Sequence, residues 1–76
     1  MRFLECKIAV KGCSIAIQRI AFFYGYTWKD YGTAIAYDNR AYLFFNKDGY
    51  LGCSNDSFYF QNHRYKEITL EEFFKD

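Results

Sequence analysis

Aromatic rings interleaved with cations are the chemistry this sequence offers most plainly. Nine Phe, eight Tyr and one Trp make up 24% of the 76 residues. So short a chain has a small core, which cannot absorb every ring. The remainder must lie at least partly on the surface. Two stretches mix rings with polar and charged groups: Tyr24-Gly25-Tyr26-Thr27-Trp28-Lys29-Asp30-Tyr31 and Tyr59-Phe60-Gln61-Asn62-His63-Arg64-Tyr65. Surface rings near Lys and Arg either stack on nucleobases or anchor a protein interface. The plainer alternative is that the tyrosines rim the core with their hydroxyls in water.

Other chemistries find little material. His63 is the single histidine, and beside Asn62 and Arg64 it reads as a surface loop residue. A thiol enzyme would need Cys53 as nucleophile with His63 as base; their separation in sequence neither supports nor forbids that pairing. Cys6, Cys13, Cys53 and His63 could supply four zinc ligands, but structural zinc sites usually present two close pairs, and none occurs here. The cysteines fit better as small buried hydrophobes. No run matches a P-loop or a dinucleotide fingerprint. Lys11-Gly12, ahead of a helix, could offer free N–H groups to an anion, or be a plain turn. The sequence therefore implies no catalytic set, no metal and no cofactor.

Composition sets the frame. Hydrophobic residues make up 51% of the chain, enough for one folded domain. The net charge is +1 and the cations are scattered, which argues against a binder of duplex nucleic acid. No apolar run approaches the roughly 20 residues of a membrane span. Glu5 and Lys7 interrupt what would be a signal-peptide core. Three cysteines without such a signal fit reduced thiols in a cytosol.

The elements that must position these groups follow from periodicity. Residues 2–10 alternate, with Leu4, Cys6, Ile8 and Val10 on one face and Glu5 and Lys7 on the other, as in a half-buried strand. Cys13, Ile17, Ile20, Ala21 and Tyr24 share one face of a helix that Gly25 ends. Gln18 and Arg19 sit away from that face. Tyr26–Trp28 and Thr33–Tyr37 read as short strands, and residues 41–45 as a central one. Asn46-Lys47-Asp48-Gly49 predicts a hairpin turn returning into residues 50–53. Residues 58–61 form a helical turn or irregular structure, and Tyr65–Ile68 an edge strand. Thr69 followed by Glu72 predicts a capping box. The sum is an α+β domain: a small antiparallel sheet of four to five strands, one main helix on a face, and a short C-terminal helix.

The segment Ile17 to Trp28, the run Tyr42-Leu43-Phe44, the Asn46–Gly49 turn, Phe60 and the tail Glu67-Ile68-Thr69-Leu70-Glu71-Glu72-Phe73 together resemble a group of small bacteriophage proteins. Some members of that group sequester the nucleotide second messengers of bacterial antiphage defence (the signals of the CBASS and Thoeris systems) without cleaving them. The resemblance implies a non-enzymatic sponge for a cyclic nucleotide or cyclic ADP-ribose species, working in the host bacterial cytoplasm. Joined to the ring-and-cation pattern, it makes Tyr26, Trp28, Tyr31 and Tyr59 the stacking candidates. Arg19, Lys29, Arg40 and Arg64 become the phosphate candidates, and Gln18, Asn62 and His63 the readers of polar edges. Spacing alone slightly favours core over platform for Trp28. A chain this short offers little concavity, so the ligand is expected at a subunit boundary of a homo-oligomer. The rival expectation is a phage protein that inhibits a host or defence protein by direct contact.

Overall fold

The computed structural model describes residues 1–75. Four strands form one sheet: β1 (Cys6–Ala9), β2 (Tyr42–Phe45), β3 (Leu51–Ser54) and β4 (Lys66–Ile68). Three helices accompany them: α1 (Ser14–Phe23), α2 (Ser57–Asn62) and α3 (Leu70–Phe74). The α+β class expected from the sequence is the class observed.

The sheet is mixed rather than antiparallel, with order β3-β2-β1-β4. β1 pairs antiparallel with β2, and β2 with β3, but β1 and β4 run parallel, Cys6 opposite Lys66 and Ile8 opposite Ile68. The cause is the segment carrying α2. It takes the chain from the β3 edge to the far edge, so β4 enters in the same direction as β1. The hairpin between β2 and β3 turns where Asn46–Gly49 predicts it: the Gly49 amide donates to the Asn46 carbonyl at 3.0 Å, and Gly49 takes φ +87°.

Both faces of the sheet are covered, which alters the reading of β1. Ile8, Leu43, Phe45 and Ile68 join Ile17 and Ala21 of α1, Tyr26, Trp28 and Phe73 in one core. Phe44, adjacent in sequence and therefore on the opposite face, packs instead against Phe60 of α2 and His63. Lys7 pairs with Phe44 on that second face and is buried, where alternation had placed it in water. Its ammonium donates to the carbonyls of Phe60, Gln61 and His63, the last at 2.9 Å, and lies over the Phe60 ring. The Phe60 carbonyl also accepts the His63 amide at 3.3 Å; at a helix end, where carbonyls run short of partners, a buried cation completes the cap without a carboxylate. Leu4 is exposed, and Phe3 takes its place against the core.

Two expected strands are absent as strands. Residues 26–28 make only single bridges, Thr27 with Tyr50 and Trp28 with Gly32. Residues 33–37 are irregular. The reason lies in α1, whose buried face is Ser14, Ile17, Gln18 and Ala21. Gln18 is fully buried, not turned outward. Its amide nitrogen donates to Ser14 Oγ (3.1 Å) and the Ala36 carbonyl (2.7 Å). Its carbonyl oxygen accepts from Trp28 Nε1 (2.9 Å) and the Ala36 amide (3.1 Å). A side-chain amide has two donors and two acceptor sites, and all four are used. Gln18 thus gives Ala36 the partners a neighbouring strand would have given. α1 closes at Gly25, φ +103°, with the Tyr26 amide reaching back to the Ala21 carbonyl. At α3, Thr69 Oγ1 accepts the Glu72 amide at 3.0 Å and Glu72 Oε1 accepts the Thr69 amide at 2.9 Å, a capping box.

Replacing Gln18 by Met keeps the volume and removes every polar partner. The Trp28 indole N–H and both Ala36 backbone groups are then left without partners, and orphaned buried groups cost about 1–3 kcal/mol each. Urea unfolding of Gln18→Met is expected to show a loss of about 3 kcal/mol or more; a loss under about 0.5 kcal/mol would contradict this role.

Candidate functional site

The eleven residues singled out from the sequence divide by burial. Tyr26 and Trp28 are core residues, 0% and 4% exposed, and Gln18 is likewise enclosed. Tyr26 donates its hydroxyl to the Arg2 carbonyl at 2.6 Å, and burial pushes its phenol up to about 12. Tyr26 and Gln18 offer no face to a ligand, because ring and amide are already enclosed by protein, and Trp28 is nearly so. Their work is to position other groups.

Four of the remaining residues lie on the sheet face covered by α2. Tyr59, Asn62, His63 and Arg64, with Phe58, line a depression of about 500 Å³. Asp56 caps α2 by accepting the Tyr59 amide at 3.1 Å. The Asn62 amide nitrogen donates to the Phe58 carbonyl, and Arg64 pairs with Glu5 at 3.1 Å. His63 is a half-buried member of a ring cluster, not a free loop side chain: it lies 4.8 Å from Phe44, 5.4 Å from Tyr59 and 4.4 Å from Tyr65, centroid to centroid. Its Nδ1 accepts from the Tyr65 amide at 3.3 Å. Most polar groups here are therefore engaged in holding α2 and the chain that follows it. Arg19 stands apart on the outer face of α1, between exposed Ile15 and Phe23.

The other group is assembled by the Gln18 clamp. Lys29, Tyr31 and Arg40 gather with Asp30, Tyr37, Leu51 and Cys53 around a depression of about 360 Å³, with Trp28 at its floor. Tyr37 adopts φ +52°, an uncommon conformation for a bulky residue. The Arg40 amide donates to the Tyr37 carbonyl at 3.1 Å, and the neighbouring Ala36 is fixed by Gln18. The Tyr37 ring consequently sits edge-on to Trp28 (5.0 Å) and to Tyr31 (5.7 Å), with the Arg40 guanidinium 5.7 Å from its centroid. Two exposed tyrosines and two cations therefore border one concavity.

The sequence does not single out Tyr37, and it raises Cys53 only as a thiol nucleophile or zinc ligand. Periodicity places Tyr37 in a strand, where its ring alternates with its neighbours. Only the nearby Arg40 hinted otherwise. Cys53 pairs with Leu43 and packs against the core on the α1 side of the sheet, whereas His63 lies against Phe44 on the other side. The sheet separates thiol and imidazole, so the two form no catalytic pair. Burial raises the Cys53 thiol above its usual value, and Arg40 only partly offsets that, which keeps it a thiol rather than a thiolate at neutral pH. Among the described residues no group of three or more His, Cys, Asp or Glu could hold a metal ion, and no helix is long and apolar enough to cross a membrane.

Comparison with protein-family models, with curated proteins and with solved structures finds no match to this chain.

Burial, then the nearby Lys7 and Arg64, hold the His63 imidazole below the usual 6.5. The unfolded chain then binds that proton more readily than the folded one. The contribution to stability is complete above about pH 6.5 and is lost as pH falls below it, towards the folded value. Denaturant midpoints should therefore drop between pH 7.5 and 5, and His63→Gln should reduce that drop. An unchanged drop in the variant would assign the pH dependence to other groups.

Proposed function

We propose that this chain is a non-enzymatic binding protein that sequesters a nucleotide signal, the role implied by its likeness to the phage sponge proteins. One observation carries the reading: Tyr31, Tyr37, Lys29 and Arg40 share the rim of a single depression. Its volume falls in the range of about 300–1,000 Å³ that small-molecule sites occupy. Tyrosine faces suit a base, and the cations suit its phosphates. A stacked base contributes on the order of 1–3 kcal/mol, and a charge-assisted hydrogen bond roughly 1.5–3. One stack with two such bonds approaches the roughly 8 kcal/mol of micromolar binding before the costs of association. A sponge needs no catalyst, and it acts by stoichiometry. On this reading the protein is phage-encoded and works in the host bacterial cytoplasm, where the immune signal is made. The ligand is a cyclic nucleotide or cyclic ADP-ribose species, as the resemblance implies.

A second reading has its own support. The outer face of α1 carries Ile15, Ala16 and Phe23 around Arg19, and Phe23 is 86% exposed. Exposed apolar residues grouped on one helix suit a protein contact. The contact is either a second copy, which accords with the expected homo-oligomer, or a host or defence protein that the chain inhibits.

Calorimetry against cyclic dinucleotides, cyclic ADP-ribose isomers and linear nucleotides is expected to find at least one ligand below about 10 µM. Tyr37→Ala and Arg40→Ala should each weaken that ligand about tenfold or more. Bound nucleotide should raise the melting temperature by mass action. No binding across the panel would remove the nucleotide reading and leave the protein-contact one.

A further inference from the structure

Arg40 borders three depressions, and two of them bear on a ligand. On its first side lie Tyr31, Tyr37 and Cys53. On its second lie Lys11, Gly12, Asp38, Asn39 and Ala41, around a depression of about 510 Å³. The guanidinium lies over the Tyr37 ring and donates from Nη1 to Asn39 Oδ1 at 3.3 Å, so it stands on the ridge between them. The two sides differ in chemistry. The first has two exposed rings. The second has one ring, Tyr42, and a face of it is already stacked on Phe60 at 4.2 Å. What the second side offers is charge: Lys11 and Arg40 against the one carboxylate of Asp38. Lys11 is exposed and makes no hydrogen bond or ion pair with the described residues.

We propose that the two depressions form one site for a linear nucleotide bearing two or more phosphates. The base lies against Tyr31 and Tyr37, the first phosphate on Arg40, and the terminal phosphate on Lys11. This rests on the nucleotide-binding part of the reading above and replaces its cyclic ligand with a linear one. A ligand with two bases would need a second aromatic subsite, and the second side supplies cations instead. A guanidinium on the ridge can bond one phosphate from either side, since its donors fan out in a plane. An ammonium on a flexible stem suits a terminal phosphate whose position varies.

Paired titrations test it: AMP against ADP, GMP against GDP, and cyclic di-AMP, each on the wild type, Lys11→Asn and Tyr37→Ala. Asparagine tolerates the left-handed conformation at position 11, φ +47°, so the fold is retained, which circular dichroism checks. The diphosphate of at least one pair is expected to bind about tenfold tighter than its monophosphate. Lys11→Asn should abolish that gain while leaving the monophosphate unchanged, and Tyr37→Ala should weaken both. Equal binding of mono- and diphosphate, a gain that survives Lys11→Asn, or a preference for cyclic di-AMP over every linear nucleotide would overturn the two-depression site while leaving nucleotide binding standing. Absence of binding by any of the five compounds would overturn the site and count against the nucleotide reading itself.

Discussion

The side-chain amide of Gln18 is the constraint on which the candidate site depends. Buried in α1, it spends both donors and both acceptor positions on Ser14, Trp28 and the two backbone groups of Ala36. Three stretches distant in sequence meet at this one group. The indole is drawn inward as a floor, and the irregular chain around Ala36 is fixed without a strand partner. Tyr37 then follows in a left-handed conformation, its ring against Trp28 and Tyr31 and beneath Arg40. A loop of this kind would otherwise carry the conformational freedom of a surface segment. Here its central residue is held by a fully satisfied polar network in a low-dielectric interior, where such bonds are strong and unmade ones costly.

A second buried polar group does the corresponding work on the other face. Lys7 projects from β1 into an aromatic layer and caps the carbonyls that end α2. The cation lies over Phe60, and Phe44, Tyr42 and His63 close around it. Covering that face allows a chain of 76 residues to bury aromatic rings on both sides of one small sheet. It also accounts for much of the aromatic content without a ligand: Phe44, Phe45, Phe60, Phe73, Tyr26 and Trp28 are all buried. The rings left in water include Phe23, Phe58, Tyr31, Tyr37 and Tyr59, and those can meet something outside the molecule.

How much of this was legible in the sequence depended on whether a signal was local. Gly25 as a helix stop, the Asn46–Gly49 turn and the pairing of Thr69 with Glu72 are local, and each has the geometry its residues predict. The direction of β4 was not legible, because it is set by where α2 leaves the chain. Lys7 and Gln18 were misplaced for a shared reason. Polarity places a side chain in water unless partners await it in the fold, and the partners of both lie tens of residues away or in irregular backbone. Ile20 and Tyr24 do pack against the core, as their spacing predicts, but Gln18 lies inward with Ser14 rather than away from that face. Of the candidate site, Lys29, Tyr31 and Arg40 were legible as exposed rings and cations. Tyr37 was not, since its outward ring follows from a backbone conformation that only the Gln18 contacts explain.

The central claim is that the depression held open by Gln18 is where a nucleotide binds. Amide and indole chemical-shift mapping during a nucleotide titration tests it most directly. The account predicts shifts concentrated at Lys29, Tyr31, Tyr37, Arg40 and Cys53, with the Trp28 indole N–H responding beneath them. Shifts confined to Phe58–Arg64 or to the outer face of α1 would contradict it.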